Sequence, residues 1–249
     1  MTADRIDSPK NPRVRSWIDL RNRRARDTTG TFIVEGERET TRMAGVCEIV
    51  SLIVREDRIA DHPDATVVVS DRVFAALSTR EHPDGVAAIL RTPDTGVDRL
   101  NSTSLVLLGD GIEKPGNIGA MIRTADAFGA GFLGSSLSTD LVNHNVIRSA
   151  QGSLFASPQA AVARPEAIEW ASANTSVVVA TPEADDILWD VDLTVPTTLV
   201  VGAEAHGVDD AWLTVGSGVR IPTTGRADSL NASVAAAVVL AEAVRQRSG

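Results

Sequence analysis

The sequence predicts an α/β protein in two parts, a smaller α/β unit followed by a larger domain built on a parallel sheet. Three observations predict it. Short β-branched or leucine-rich runs alternate with stretches of helical period, the order expected when helices connect parallel strands. The stretch Arg91 to Ser104 contains Pro93, Gly96, Asn101 and Ser102 and has no apolar period, which marks a linker at 97–104 between units 1–96 and 105–249. No internal repeat and no low-complexity tract is present, so the alternation belongs to one folded chain rather than to an array.

The elements follow in order. Asn11-Pro12 reads as a turn or helix start, and residues 13–26 as a basic helix with Val14, Trp17, Ile18 and Leu20 as packing residues. Phe32-Ile33-Val34, Ile49 to Val54, Thr66 to Val69 and Val86 to Leu90 read as short strands, with a helix starting at Asp71 and running to Leu77. The second part opens on Leu105-Val106-Leu107-Leu108, a buried strand. A Gly109 to Gly116 loop then leads into a helix, for which Asn117 is the expected N-cap. Ile118, Met121, Ile122, Ala125 and Phe128 recur at helical spacing, and Gly129 ends the run. This pattern puts Gly119, Arg123 and Asp126 on an outward flank. Val177 to Val179 and Leu199 to Val201 read as strands, and an Ala- and Val-rich helix covers about Asn231 to Gln246.

Composition bounds the function. The chain has 249 residues, 43% hydrophobic and 23% charged, which is globular. No apolar run approaches the ~20 residues of a membrane span, and the polar N-terminus is unlike a secretory signal. The lone Cys47 and four unclustered histidines disfavour a disulfide and a metal site. A cytoplasmic, metal-free protein is expected. The net charge of −9 is uneven, because residues 5–26 hold Arg5, Lys10, Arg13, Arg15, Arg21, Arg23, Arg24 and Arg26 against only Asp7 and Asp19. Such a cluster is either a phosphate-binding arm or a solvated helix face.

Ligands of open α/β sheets bind at loops after the strands, and three such loops stand out. The first runs from Asp110 to Gly119 and continues into Arg123-Thr124-Ala125. The second is Gly202-Ala203-Glu204-Ala205-His206-Gly207. The third is Ile221-Pro222, then Thr223 to Asp228, then Ser229-Leu230-Asn231-Ala232-Ser233. Taken singly, each has an ordinary explanation: a surface arginine, a strand–helix turn, a helix cap. A dinucleotide site is disfavoured, because Gly109-x-Gly111 is followed by Lys114 where a third glycine would stand.

In this order, the three loops resemble the three motifs of the SpoU branch of the SPOUT methyltransferases: Asn117-x-Gly119-x-x-x-Arg123-Thr124-Ala125, Gly202-x-Glu204-x-x-Gly207, and Ile221-Pro222 with Ser229-Leu230-Asn231-x-Ser233. The match covers residues 105–247. Ser8 to Val14 and Phe32 to Gly36 are similar to the small L30e-like substrate-binding domain that precedes this module in ribosomal RNA members of the family, the thiostrepton-resistance type among them.

The resemblance implies a SPOUT α/β knot, a parallel sheet whose C-terminal stretch threads a trefoil, which general topology rules would have excluded. It implies a homodimer with the active site at the subunit interface, and S-adenosylmethionine-dependent methylation of a ribose 2′-hydroxyl. Ribosomal RNA, 23S above all, is the expected substrate. Transfer RNA is the alternative, and a catalytically silent RNA-binding protein is the rival. Arg123 is implied as the residue acting on the 2′-hydroxyl, with Asn117 orienting Arg123 or the ribose, Glu204 fixing the loop or the arginine, and Ser229 and Asn231 shaping the pocket. Val201, Gly202, Ile221, Leu230 and Ala232 are implied at the cofactor. Lys10, Arg13, Arg21, Arg23, Arg24 and Arg148 are the expected RNA contacts. Relatives carry an arginine before the glycine of a segment matching Ser149-Ala150-Gln151-Gly152. Here Gln151 takes that place, and Arg148, one turn earlier, is its candidate substitute.

Overall fold

A computed structural model describes residues 3–226 and 229–248. The chain divides into two compact units, residues 1–93 with 142–144, and residues 94–141 with 145–249.

The first unit contains β1 (Asp4–Ile6), α1 (Pro12–Asp19), α2 (Arg23–Thr29), β2 (Thr31–Glu35), α3 (Glu37–Ala44), β3 (Ile49–Arg55), β4 (Val67–Val69), α4 (Asp71–Leu77) and β5 (Val86–Arg91). Its sheet has the order β1-β4-β3-β5-β2. The β1–β4 and β3–β4 pairs are parallel, while β5 runs antiparallel to both β3 and β2. The basic helix expected over 13–26 is two helices. Val14, Trp17 and Leu20 do enter the core, but the buried Arg26 folds back and donates to the carbonyls of Leu20 (2.8 Å) and Arg21 (2.9 Å). A guanidinium capping the last carbonyls of α1 ends that helix. At the other end Asn11 accepts from the Arg13 amide (2.9 Å), with Pro12 opening the first turn.

The second unit contains β6 (Leu105–Asp110), α5 (Pro115–Ala127), β7 (Gly131–Ser135), α6 (His144–Ala150), β8 (Gln159–Val162), α7 (Arg164–Asn174), β9 (Ser176–Ala180), β10 (Thr197–Val201), α8 (Asp210–Leu213), β11 (Ser217–Val219) and α9 (Ala232–Arg247). Its six strands are all parallel, in the order β11-β9-β10-β6-β7-β8. β6 and β10 lie mid-sheet and are buried throughout, which is why both read as continuous apolar runs. The chain runs outward from β6 through β7 to β8, then returns on the other side of β6 with β9 and β10. That reversal brings the loops after β6, β9, β10 and β11 to one edge of the sheet, the usual place for a ligand crevice.

Several local expectations change. The stretch 97–104 is not a bare connector. Val97–Leu100 forms a 3₁₀ turn, and Leu100 is fully buried in the second unit's core. α5 begins at Pro115 with Lys114 at its cap, so Asn117 lies inside the helix and its side chain is free for another task. Gly119 does not face outward. A Cβ there would come within 2.5 Å of the Val146 carbonyl and 2.6 Å of the Ser149 Cβ, so glycine is what lets α6 cross α5 at this point. β7, α6, β8, α7 and β11 had no strong period in the sequence. α9 matches expectation: Asn231 caps it by accepting from the Ser233 amide (3.0 Å), and Ala236, Val239, Leu240 and Ala243 form its buried stripe.

Candidate active site

The three loops meet through one carboxylate. Glu204, in the turn after β10, accepts hydrogen bonds from Lys114 Nζ, from Asn117 Nδ2 (3.1 Å) and from Asn231 Nδ2. Asn231 Nδ2 also reaches Asn117 Oδ1 (3.3 Å), while its own Oδ1 accepts from the amide (3.0 Å) and hydroxyl (2.6 Å) of Ser233. Residues 117, 204 and 231 are far apart in the chain, and each comes from a different loop or helix start. The Glu204 carboxyl is held below the usual carboxylate range, first by the Lys114 ammonium and then by Asn117, with a lesser contribution from Asn231, and these together outweigh the opposing effect of burial.

A cavity of about 890 Å³ opens beside this network, within the range of small-molecule and cofactor sites. Val201, Gly202, Ile221, Leu230 and Ala232 all line it, together with Glu204 and Ser229. The turn that forms one wall folds tightly on itself. Ala203 and Gly207 exchange two backbone hydrogen bonds (3.0 and 2.9 Å), and Gly207 sits at φ +68°. A Cβ on Gly202 would lie 2.2 Å from the Gly207 carbonyl, so glycine at 202 is a packing requirement of this turn. The backbone amides of Ile221 and Leu230 make no hydrogen bond among the described residues and stand available to a ligand. Ala227 and Asp228 of the third loop lie outside the described residues.

Residues 104–241 match the model of the SpoU rRNA Methylase family, and residues 11–88 match an MRM3-like substrate binding domain. The chain belongs to the SpoU rRNA methylase family. Among SpoU relatives, it is 34% identical over 98% of its length, and 93% of theirs, to the 23S rRNA (uridine(2479)-2′-O)-methyltransferase of Streptomyces viridochromogenes. It is 33% identical over 94% of its length, and 97% of theirs, to the 23S rRNA (guanosine(2553)-2′-O)-methyltransferase RlmP of Bacillus subtilis. The crystal structure of the SpoU methyltransferase AviRb from Streptomyces viridochromogenes in complex with the cofactor AdoMet superposes with a TM-score of 0.88 at 31% identity, covering 96% of this chain and 99% of that one.

Within this SpoU chain the remaining candidates sit as follows. Arg123 is exposed on α5 and makes no hydrogen bond or ion pair among the described residues, so neither Asn117 nor Glu204 orients it within one chain. Arg148, on α6, is likewise exposed and without a partner among the described residues. Gln151 follows α6 at φ +49°. Of the basic cluster, Lys10, Arg15 and Arg24 are exposed and unpaired among the described residues. Arg13 is paired with Asp4 (2.8 Å) and lies over the Trp17 ring, and Arg23 faces Asp27 at 3.6 Å. Arg21 is withdrawn from the cluster, because its guanidinium donates to the carbonyls of Leu77 (2.8 Å) and Ser78 (3.2 Å) at the end of α4. Reading a charge cluster from sequence cannot separate it from the others.

Sequence reasoning missed Lys114, the ion-pair partner of Glu204, and the Thr181 to Ala184 loop after β9 that lines the cavity. The signal for Lys114 was its place in the first loop. The β9 loop had none beyond following a strand.

Proposed function

We propose that this protein is an S-adenosylmethionine-dependent methyltransferase acting on a ribose 2′-hydroxyl of 23S ribosomal RNA. The observation that carries the reading is the junction of Asn117, Glu204 and Asn231 beside a cavity walled by Val201, Gly202, Ile221, Leu230 and Ala232. The named relatives act on a uridine and on a guanosine of 23S rRNA, so the reading is set at the ribose and not at one base.

The cavity fits the cofactor by its chemistry. Its apolar side chains suit an adenine ring, and the free amides of Ile221 and Leu230 suit the ring's acceptor edge. When bound, S-adenosylmethionine supplies an electrophilic methyl group whose leaving group is a neutral thioether. The protein's part is positioning and proton removal. Glu204, Asn117 and Asn231 hold the first and second loops against α9, with Ser229 at the cavity's edge. A guanidinium is too weak a base to take a hydroxyl proton, so that task does not fall to Arg123. It binds the phosphate beside the target ribose and stabilises the developing oxyanion, and water or that phosphate receives the proton. The protein is read as a homodimer, as the family resemblance implies, with the site completed across the interface. The C-terminal stretch is read as knotted, and the enzyme as cytoplasmic.

Residues 1–96 serve as the RNA substrate-binding domain and 105–249 as the catalytic domain. Lys10, Arg13, Arg23 and Arg24 are the phosphate contacts of the first, Arg15 joins them, and Arg148 of α6 replaces the contact that Gln151 lacks. Replacing Lys10, Arg15 and Arg24 together by glutamine is expected to flatten the slope of log binding constant against log salt by about 2–3, since each neutralised phosphate contributes roughly 0.7–0.9. Fluorescence titration with an RNA fragment across 50–300 mM salt (roughly the range where such slopes are read) checks this, and an unchanged slope removes these residues from the interface.

The depressed Glu204 carboxyl sets a pH dependence. Its contribution is complete above the ordinary carboxylate value near 4.5 and is lost as pH falls through the lower value it has in the folded site. Cofactor affinity measured by calorimetry is expected to hold to below the ordinary carboxylate value of 4.5 and to fall only as pH passes through the lower value of the folded site, and E204Q is expected to lose that acid limb.

The function is tested by incubating the protein and labelled S-adenosylmethionine with unmodified ribosomal and transfer RNA pools. Label in 23S rRNA at one alkali-resistant ribose supports the reading. Label in transfer RNA alone moves the substrate, and cofactor binding without transfer to either pool favours the silent RNA-binding protein.

A further inference from the structure

Behind the cavity lies a second polar cluster that touches neither the cavity nor the Glu204 network. Asp110 ends β6 and is 1% exposed. Its Oδ1 accepts from Arg164 Nε (2.9 Å) and Ser135 Oγ (2.6 Å), and its Oδ2 accepts from the Asp209 amide (3.2 Å). The same guanidinium reaches Asp209 Oδ2 at 2.8 Å. Asp209 in turn caps α8 through the Ala211 amide (3.0 Å). Burial pushes the Asp110 carboxyl up, but Arg164, then Ser135, Trp212 and the Asp209 amide, together hold it below its usual value. Ser136, the residue after β7, adopts φ +47°, an unfavourable conformation for a side chain with a Cβ, and its hydroxyl accepts from the Arg164 amide (3.0 Å). Arg164 is thus held from its backbone and from both ends of its guanidinium.

Asp209 follows the Ala203–Gly207 turn by two residues, and Val208 between them lines the cavity. We propose that Arg164, by bridging Asp110 and Asp209, is a positioning residue that fixes the 203–208 wall of the cofactor cavity, and Glu204 with it. The two carboxylates lie 99 residues apart, and besides Arg164 the Asp209 amide, donating to Asp110, joins them. Without the Arg164 bridge, the turn keeps its own two internal bonds, the Glu204 side chain and the single 3.2 Å bond from the Asp209 amide to Asp110. This inference rests on reading the cavity as the S-adenosylmethionine site.

Two variants test it. D209N removes the ion pair to Arg164 while leaving Asp110–Arg164 intact and keeping an oxygen to cap Ala211. D110N/R164M removes the buried pair as a unit, so that no buried charge is stranded. For D209N, the KM for S-adenosylmethionine is expected to rise about tenfold with kcat changed much less and melting temperature unchanged, because a displaced wall costs binding geometry and not the fold. In D110N/R164M, hydrogen exchange of the Gly207 amide is expected to accelerate about tenfold or more. R164K, a point charge in place of a planar fork, should fall between wild type and D110N/R164M. A KM for D209N and a Gly207 exchange rate for D110N/R164M both within about twofold of wild type would overturn the proposal. Should the wild-type protein bind no S-adenosylmethionine, the functional reading fails instead, and Gly207 exchange alone then decides the clamp.

Discussion

Arg123→Ala is expected to slow methyl transfer by about 10²–10⁴-fold, the usual range for loss of a group that assists proton transfer or stabilises charge at the reacting oxygen. The cofactor's dissociation constant should change by less than about twofold, because Arg123 lies outside the cavity lining and makes no bond to the residues that form it. The loss should therefore appear in kcat under single-turnover conditions and not in the KM for S-adenosylmethionine. Arg123→Lys should recover only a small part, since an ammonium cannot present two parallel donors to a phosphate. A variant that methylates RNA at the wild-type rate would remove Arg123 from the reaction. A parallel loss of cofactor binding would make it a structural residue of the cavity.

Gly202→Ala is expected to weaken S-adenosylmethionine binding by about 10–100-fold while far-ultraviolet circular dichroism stays unchanged. The added methyl would stand 2.2 Å from the Gly207 carbonyl carbon and oxygen and 2.3 Å from the Val208 amide nitrogen. These are backbone atoms of a turn closed by its own hydrogen bonds, so they cannot rotate aside as a side chain would. Overpacking of this kind costs roughly 1–3 kcal/mol. Here the strain is relieved by moving the cavity wall, so it is read in ligand affinity. Gly129→Ala is the matched control for an added methyl away from the cavity, because nothing among the described residues lies within 4 Å of a Cβ at 129, though its φ of +67° adds backbone strain. Equal affinities for wild type and Gly202→Ala, measured by calorimetry, would mean that the 203–207 turn plays no part in holding the cofactor.

The parts of this protein that were legible in the sequence share a physical cause. β6 and β10 are buried throughout and β9 through its central valines, so each carries a run of apolar residues that is visible without coordinates. The glycines and polar residues of the loops after β6, β10 and β11 stand out against those runs. Their order and spacing carry the resemblance to the SpoU family, and all five residues read from it as cofactor contacts line the cavity. By contrast, β11 is three residues long and contains a glycine, and α7 buries only Ala167, Trp170 and Ala171 of its eleven residues. Neither leaves a period strong enough to read.

What the sequence by itself determined, then, was the alternation of buried strands and helices, the three loops, and the chemical class those loops serve. Tertiary structure alone decided which polar group meets which. Asn117 was a plausible helix cap until Pro115 and Lys114 took the helix start and freed its amide for Glu204. Arg21 was one cation of a cluster until its guanidinium closed the end of α4, 55 to 57 residues away. Asp110, Arg164 and Asp209 form no local pattern, since the bonds that join them span 45, 54 and 99 residues. Burial leaves a periodic trace along the chain because each residue answers to the same core. A hydrogen bond between distant side chains leaves none, because its partner is chosen only when the sheet order brings the two loops together.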